Sequence, residues 1–229
     1  MNKENTIIIY SSKNVKGRKD ATGAFIPEAK AFAKYHGIPE ENMLGVPCPG
    51  MKADKRRAMV TDFIKNGPCR EIDMIAWFGH GYSSGIQFGF TKNNVFDLLD
   101  ALLFKANDDL KQVLYACSTA SANKESRNIR MPGTDGGFAD TLRDEMFREG
   151  FRGGWVDAHL QPGHTTKNPY ILRFLCNEER VEQGGGSYLV HPNSSDWNIW
   201  SKAIRTTNLR FDFPYASNIK PVAMQEYFV

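Results

Sequence analysis

Short, unbroken apolar runs alternate along the chain with longer stretches in which apolar residues recur every three or four positions. The first kind of segment is typical of strands buried on both faces of a sheet, and the second is typical of amphipathic helices. Six segments are predicted to be strands: residues 6–10, 42–46, 73–78, 113–116, 155–158 and 188–190.

Helices are predicted between these strands. The clearest is residues 95–103, where five apolar side chains fall at i, i+3, i+4, i+7 and i+8. Pro27 is predicted to open the first helix as its first-turn proline, and Gly37 to end it. Four more helices are predicted: one around residues 59–64, one opening at Asp135 and ending at Gly150, one from Pro169 to Gly184, and one around Trp197 and Trp200.

The alternation of strands and helices predicts the overall architecture. Parallel neighbouring strands need a crossover, and helical crossovers cover both faces of the sheet. The fold class predicted is therefore α/β, a three-layer sandwich around a mostly parallel, six-stranded sheet. The chain has 229 residues, with no internal repeat, low-complexity tract or linker. Residues 1–229 are therefore predicted to form a single domain.

The composition limits which binding partners and which cellular location are expected. The net charge is only +3, from 29 basic and 26 acidic residues. Neither nucleic acid nor a membrane is therefore expected as the main partner. No apolar stretch approaches the roughly 18 residues of a membrane span, and the N-terminus lacks the pattern of a secretory signal. A soluble, cytoplasmic protein is expected.

The cysteine and histidine spacings give no reason to expect a cofactor or a metal. Four cysteines are scattered without a C-x-x-C pair, and reduced thiols are the simplest interpretation. His159 and His164, with Asp157 nearby, match no common zinc pattern. The cysteines are Cys48, Cys69, Cys117 and Cys176.

Two chemically potent side chains follow predicted strands. His80 follows the strand at 73–78, and Cys117 follows the strand at 113–116, with one predicted helix between them. Ligands of open parallel sheets bind beyond the carboxyl ends of the strands. If the two strands are neighbours, their axes lie about 4.8 Å apart and the imidazole can exchange a proton with the thiol. The amides of Gly81 and Cys117 are then candidates to bind an oxyanion.

The two motifs that carry this chemistry are residues 74–81, MIAWFGHG, and residues 113–118, VLYACS. The pattern resembles the caspase-like cysteine peptidases, the group of caspases, metacaspases, gingipains, legumains and separase. The resemblance implies a caspase-like fold and a cysteine endopeptidase that acts on a protein or peptide substrate. It further implies that His80 is the general base and acid, that Cys117 is the nucleophile, and that the Gly81 and Cys117 amides form the oxyanion hole.

The same resemblance implies that the segment at the end of the fifth predicted strand helps to bind substrate. The candidates there are Trp155, Asp157 and His159. Caspases proper place their histidine about 50 residues before the cysteine, whereas here the separation is 117 − 80 = 37. Relatives that cleave after arginine or lysine tend to carry an aspartate where this chain has Tyr115. Neither an acidic nor a basic cleavage preference is therefore predicted.

Two other functions stay open at this point. One is a catalytically inactive caspase-like module that binds or scaffolds other proteins. The other is a cysteine-dependent amidase that acts on a small molecule, because a Cys-His pair alone does not identify the acyl group. The short chain also leaves room for a regulatory partner supplied as a separate chain.

Overall fold

The structure, a computed structural model, describes residues 3–12, 22–48, 50–121, 136–160, 171–177 and 187–190. These residues form a mixed α/β structure with a central, mostly parallel sheet of seven strands, a two-stranded hairpin and four α-helices. The strands are β1 Thr6–Ser11, β2 Met43–Val46, β3 Ile72–Phe78, β4 Gly81–Tyr82, β5 Gly85–Ile86, β6 Ala106–Tyr115, β7 Trp155–His159, β8 Ile171–Leu175 and β9 Ser187–Leu189. The helices are α1 Thr22–His36, α2 Ala53–Asn66, α3 Phe96–Leu102 and α4 Phe138–Arg148.

The strand order in the main sheet is β2-β1-β3-β6-β7-β8-β9. The pairs from β2 to β7 are parallel, and β8 and β9 join antiparallel at one side. The two short strands β4 and β5 form a separate antiparallel hairpin directly after β3. Among the described residues, none of the helices combines the length and the apolar composition that a membrane span requires.

Each central strand is buried on both faces, which explains its unbroken apolar sequence. In β3, Ile75 and Trp77 belong to one apolar cluster, whereas Ala76 and Phe78 belong to the other. The first cluster also contains buried side chains of α2, α3 and α4, and the second contains those of α1. In the described part of the chain, α1 therefore covers one face of the sheet and the other three helices cover the opposite face.

The six predicted strands are confirmed, but the sheet has a seventh strand that the sequence analysis missed. β8 lies in the segment predicted to be a helix from Pro169 to Gly184, and that prediction is wrong for Ile171–Leu175. Asn168-Pro169 has the sequence of a helix start, yet the strand buries four of its side chains and pairs with β7 and β9. Tertiary packing thus overrides the local signal.

The prediction for the start of α1 is also wrong. The helix begins at Thr22 rather than at Pro27, which lies inside it. Proline inside a helix removes one backbone hydrogen bond. The additional helical residues carry Phe25, which is only 4% exposed. Burial of this apolar side chain offsets part of the loss.

The predicted end of α4 is confirmed, because Gly150 follows the helix with a φ of 100°. The helix begins at Phe138, with Gly137 as its N-cap residue. Asp135, the predicted start, lies outside the described residues. The predicted helix around Trp197 and Trp200 lies outside them as well.

Candidate active site

The ends of β3 and β6 bring His80 and Cys117 to the same level of the sheet. The two strands are hydrogen-bonded neighbours, and Phe78 pairs with Tyr115 in the last step of their register. His80 lies two residues after Phe78, and Cys117 lies two residues after Tyr115. The two residues therefore occupy equivalent positions beyond the carboxyl ends of β3 and β6. Strand axes in such a pair are about 4.8 Å apart.

His80 lies on the face of the sheet that α1 covers. Phe78 and Tyr115, the last residues of β3 and β6, lie on that face as well. The His80 ring packs edge-on against Phe25 of α1, with ring centroids 5.1 Å apart and an interplanar angle of 86°. Both His80 and Cys117 are partly exposed, so solvent reaches this edge.

The hairpin β4–β5 fixes the backbone of His80. The Gln87 amide donates a hydrogen bond to the His80 carbonyl at 3.0 Å. In an antiparallel pair, hydrogen-bonded and non-hydrogen-bonded residue pairs alternate. Gly81 faces Ile86 in the next pair, so the pattern leaves the Gly81 amide hydrogen outside the hairpin ladder.

Gly81 packs directly against the backbone that follows β6. A Cβ atom at Gly81 would lie 2.7 Å from the Cys117 carbonyl oxygen and 2.8 Å from the Ala116 Cβ. Those distances are shorter than a carbon side chain can accept, so glycine is required for the close approach. The two amides predicted for an oxyanion hole thus belong to touching backbone segments.

The turn after Cys117 is strained and firmly held. Ser118 is buried and has a φ of 56°. This left-handed conformation costs a non-glycine residue about 1–2 kcal/mol. Thr119 Oγ1 donates to the Ala116 carbonyl at 3.1 Å, and the Ala120 amide donates to the His159 carbonyl at 3.0 Å. Strained backbone of this kind persists where its surroundings fix it, and it concentrates at functional sites.

The residues that end β3 and β6, just before the candidate pair, are both aromatic. Phe78 and Tyr115 stack with centroids 4.3 Å apart, and Phe32 of α1 contacts both rings edge-on at 5.7 Å. Burial raises the pKa of the Tyr115 hydroxyl well above its usual value, and the charges of Glu28 and Asp157 raise it further. Tyr115 therefore stays protonated and supplies no negative charge below Cys117.

The three candidates in β7 lie at different distances from this edge. Leu114 pairs with Ala158, so His159 lies beside Tyr115, which lies two residues before Cys117. The His159 side chain is buried. Trp155 pairs with Lys111, close to where β7 begins. Trp155 is therefore far from the carboxyl ends of the strands, whereas His159 is near them.

Asp157 forms a buried ion pair with Arg173. Its two carboxylate oxygens accept hydrogen bonds from Arg173 Nε and Nη2 at 2.8 and 2.9 Å. The Arg173 guanidinium also lies 4.0 Å from the centroid of the Trp155 ring. Of the three candidates, His159 therefore lies nearest to the carboxyl ends of the strands, whereas Asp157 and Trp155 pack with Arg173. His164 lies outside the described residues.

Exposure separates Cys117 from the other three cysteines. None of the four forms a disulfide, but Cys117 alone is partly exposed. Burial raises the pKa of each of the others, to about 12 for Cys176. Only the thiolate is an effective nucleophile, so these three thiols are poorly suited to catalysis. They are Cys48, Cys69 and Cys176.

Sequence reasoning missed two features of this edge. One is Phe25, whose contact with His80 joins parts of the chain that are distant in sequence. The other is the backbone angle of Ser118. Neither has a signal in the local sequence, because serine is not a residue that a left-handed conformation favours.

No model of a known protein family matches this chain, and no curated protein matches it. The geometry and chemistry of the site carry the functional inference.

Proposed function

We propose that the protein is a cysteine endopeptidase with a caspase-like, three-layer fold, which hydrolyses peptide bonds through a Cys117–His80 dyad. The observation that carries the proposal is the equivalent position of these two partly exposed residues beyond neighbouring parallel strands. A thiol and an imidazole in that arrangement have the groups that acyl transfer needs.

In the first half of the proposed reaction, His80 accepts the thiol proton and the Cys117 sulfur attacks the carbonyl carbon of the substrate. The Gly81 and Cys117 amides donate hydrogen bonds to the oxygen that becomes negatively charged. His80 then donates its proton to the amide nitrogen as the carbon–nitrogen bond breaks. The products of this half are a free amine and a thioester on Cys117.

In the second half, a water molecule takes the place of the departed amine. His80 accepts a proton from that water while its oxygen attacks the thioester carbonyl. The carbon–sulfur bond breaks, the sulfur regains the proton from His80, and the acid product leaves. Water is consumed and the protein returns to its starting state.

Covalent labelling tests the proposal. A peptide that carries an acyloxymethyl ketone is expected to label the protein at Cys117, and Cys117→Ala should abolish labelling. Cys176→Ala is a matched control that removes a buried thiol and should label normally. Equal labelling of the wild type and Cys117→Ala would refute the proposal.

His80→Ala separates a working dyad from a merely exposed cysteine. We expect labelling of this variant to slow by at least about tenfold, because the thiol loses the base that activates it. Labelling at the wild-type rate would instead favour a binding module with an accessible thiol. Rapid labelling that depends on His80, without cleavage of any peptide, would favour an amidase that acts on a small molecule.

A further inference from the structure

We propose that Phe25 is a positioning residue that holds the His80 imidazole in the orientation in which it faces Cys117. The inference rests on the proposed role of His80 in the dyad, and it assigns a function to the first turns of α1. Phe25 is not proposed to touch the substrate or to take part in proton transfer.

The contact itself is specific in geometry. The two rings meet nearly perpendicular, at 86°, with their centroids 5.1 Å apart. This is the edge-to-face arrangement that aromatic pairs prefer. Phe25 is almost completely buried whereas His80 is partly exposed, so the phenyl ring covers one side of an imidazole that solvent also reaches.

The rest of α1 fixes the position of Phe25. Phe32 follows it by seven residues, or two helical turns, and therefore lies on the same side of the helix. Phe32 packs against Phe78 and Tyr115, one level below the candidate pair. Phe32 thus anchors α1 against Phe78 and Tyr115. The preceding turns of the helix bring Phe25 to His80.

The side chain of His80 benefits from a support of this kind. The Gln87 amide holds the His80 carbonyl, but a hydrogen bond to the backbone does not set the side-chain torsions. A general base works well only when its ring nitrogen stays within hydrogen-bond reach of the group it deprotonates. Removing the phenyl ring therefore gives the imidazole more room to turn away from the thiol.

The test is the pH dependence of Cys117 alkylation by iodoacetamide, which needs no peptidase substrate. An imidazole held beside the thiol stabilises the thiolate and allows alkylation below the usual thiol pKa of about 8.5. In Phe25→Leu we expect the midpoint of the profile to move toward that value, with alkylation at pH 6.5 at least about threefold slower. Phe25→Tyr retains the ring and should keep the wild-type midpoint.

Phe32→Leu is the matched control, because it makes the same change on the same side of α1 at a residue that packs on Phe78 and Tyr115. Both variants keep the ionisable groups of the surrounding elements, which are Glu28 in α1, Tyr115 in β6, and Asp157 and His159 in β7. We expect Phe32→Leu to lower thermal stability while leaving the alkylation midpoint in place. Equal midpoints for the two leucine variants would overturn the role of Phe25.

Two further results distinguish a failure of the proposed dyad from a failure of the positioning role of Phe25. If His80→Ala leaves the alkylation profile unchanged, the dyad itself fails and so does the proposed function. If His80→Ala shifts the profile and Phe25→Leu does not, only the positioning role is wrong. Should Phe25→Leu not fold, Phe25→Met replaces it, and a wild-type midpoint in that variant overturns the proposal.

Discussion

At the scale of single residues, the candidate site depends on one partly exposed thiol and one close backbone approach. Cys117 lies at an exposed edge, whereas the other three thiols are buried. Gly81 lets the hairpin after β3 touch the turn after β6. Each feature leads to a prediction that concerns one side chain.

Alkylation of the native protein should be selective. At pH 7.5, iodoacetamide is expected to modify Cys117 at least about tenfold faster than any other cysteine. The reason is that burial raises the pKa of the other thiols and blocks access to them. Peptide mapping by mass spectrometry measures the four rates. Comparable rates for Cys117 and Cys176 in folded protein would contradict the assignment.

Gly81→Ala should lower kcat/KM for a peptide substrate by a factor on the order of 10² to 10³. The new methyl group would collide with the Cys117 carbonyl and displace a proposed oxyanion donor. Gly150→Ala is the control, since a Cβ there meets no atom within 4 Å but has an unfavourable φ. That control should reduce stability and leave kcat/KM unchanged, and a similar activity loss in both variants would argue against the oxyanion role.

At the scale of elements, β8 is held in the sheet by a buried charge pair as well as by apolar packing. Asp157→Asn is expected to lower the free energy of unfolding by about 3–5 kcal/mol, because Arg173 is left buried without its countercharge. Asp109→Asn breaks a more exposed pair with Lys111 and should cost at most about 1 kcal/mol. Urea unfolding measures both values, and equal losses would show that the buried pair contributes little.

The C-terminal end of α1 makes stability depend on pH through His36. Burial, as the largest cause, lowers the pKa of this imidazole from 6.5 to about 4, and its ring packs against Phe32 at 4.4 Å. Between pH 6.5 and 4 the unfolded chain therefore binds a proton that the folded protein does not, so stability falls as pH falls through that window. In His36→Gln, the urea midpoint should change less between pH 7 and pH 4.5 than it does in the wild type. An equal change of the midpoint in both proteins would contradict this cause.

The elements also show where sequence reasoning succeeds and where it ends. β1, β3 and β6 were predictable because each contains an apolar run buried on both faces. β8 was not, since Arg173 interrupts its apolar sequence and the partner of that charge lies in the neighbouring strand β7. Local patterns cannot reveal a compensating charge that only the sheet brings near.

The same limit applies to the site. His80, Cys117 and Gly81 were predicted as site residues because their local sequences mark strand ends and sharp turns. Phe25 was not predicted, because its contact with His80 joins distant parts of the chain. Trp155 and Asp157 were predicted to bind substrate because the family resemblance assigned that role to the end of the fifth predicted strand. Their register places both residues before the last residue of β7.

At the scale of the whole molecule, the direction of the chain reverses beside one part of the candidate site. From β1 the chain moves outward to β2, and from β3 it moves the other way to β6 and β7. Right-handed crossovers then put α1 on one face and α2, α3 and α4 on the other. The reversal falls between β1 and β3, and crevices for ligands form at such points, beyond the carboxyl ends of the strands. His80 follows a strand at this reversal.

Cleavage of a diverse peptide library by the whole protein tests the central claim most directly, with products counted by mass spectrometry. The wild-type protein and Cys176→Ala are predicted to cleave a common set of peptide bonds at similar rates. Cys117→Ala and His80→Ala are predicted to cut them at least about a thousandfold more slowly. Cleavage of the same bonds by Cys117→Ala at the wild-type rate would contradict the account.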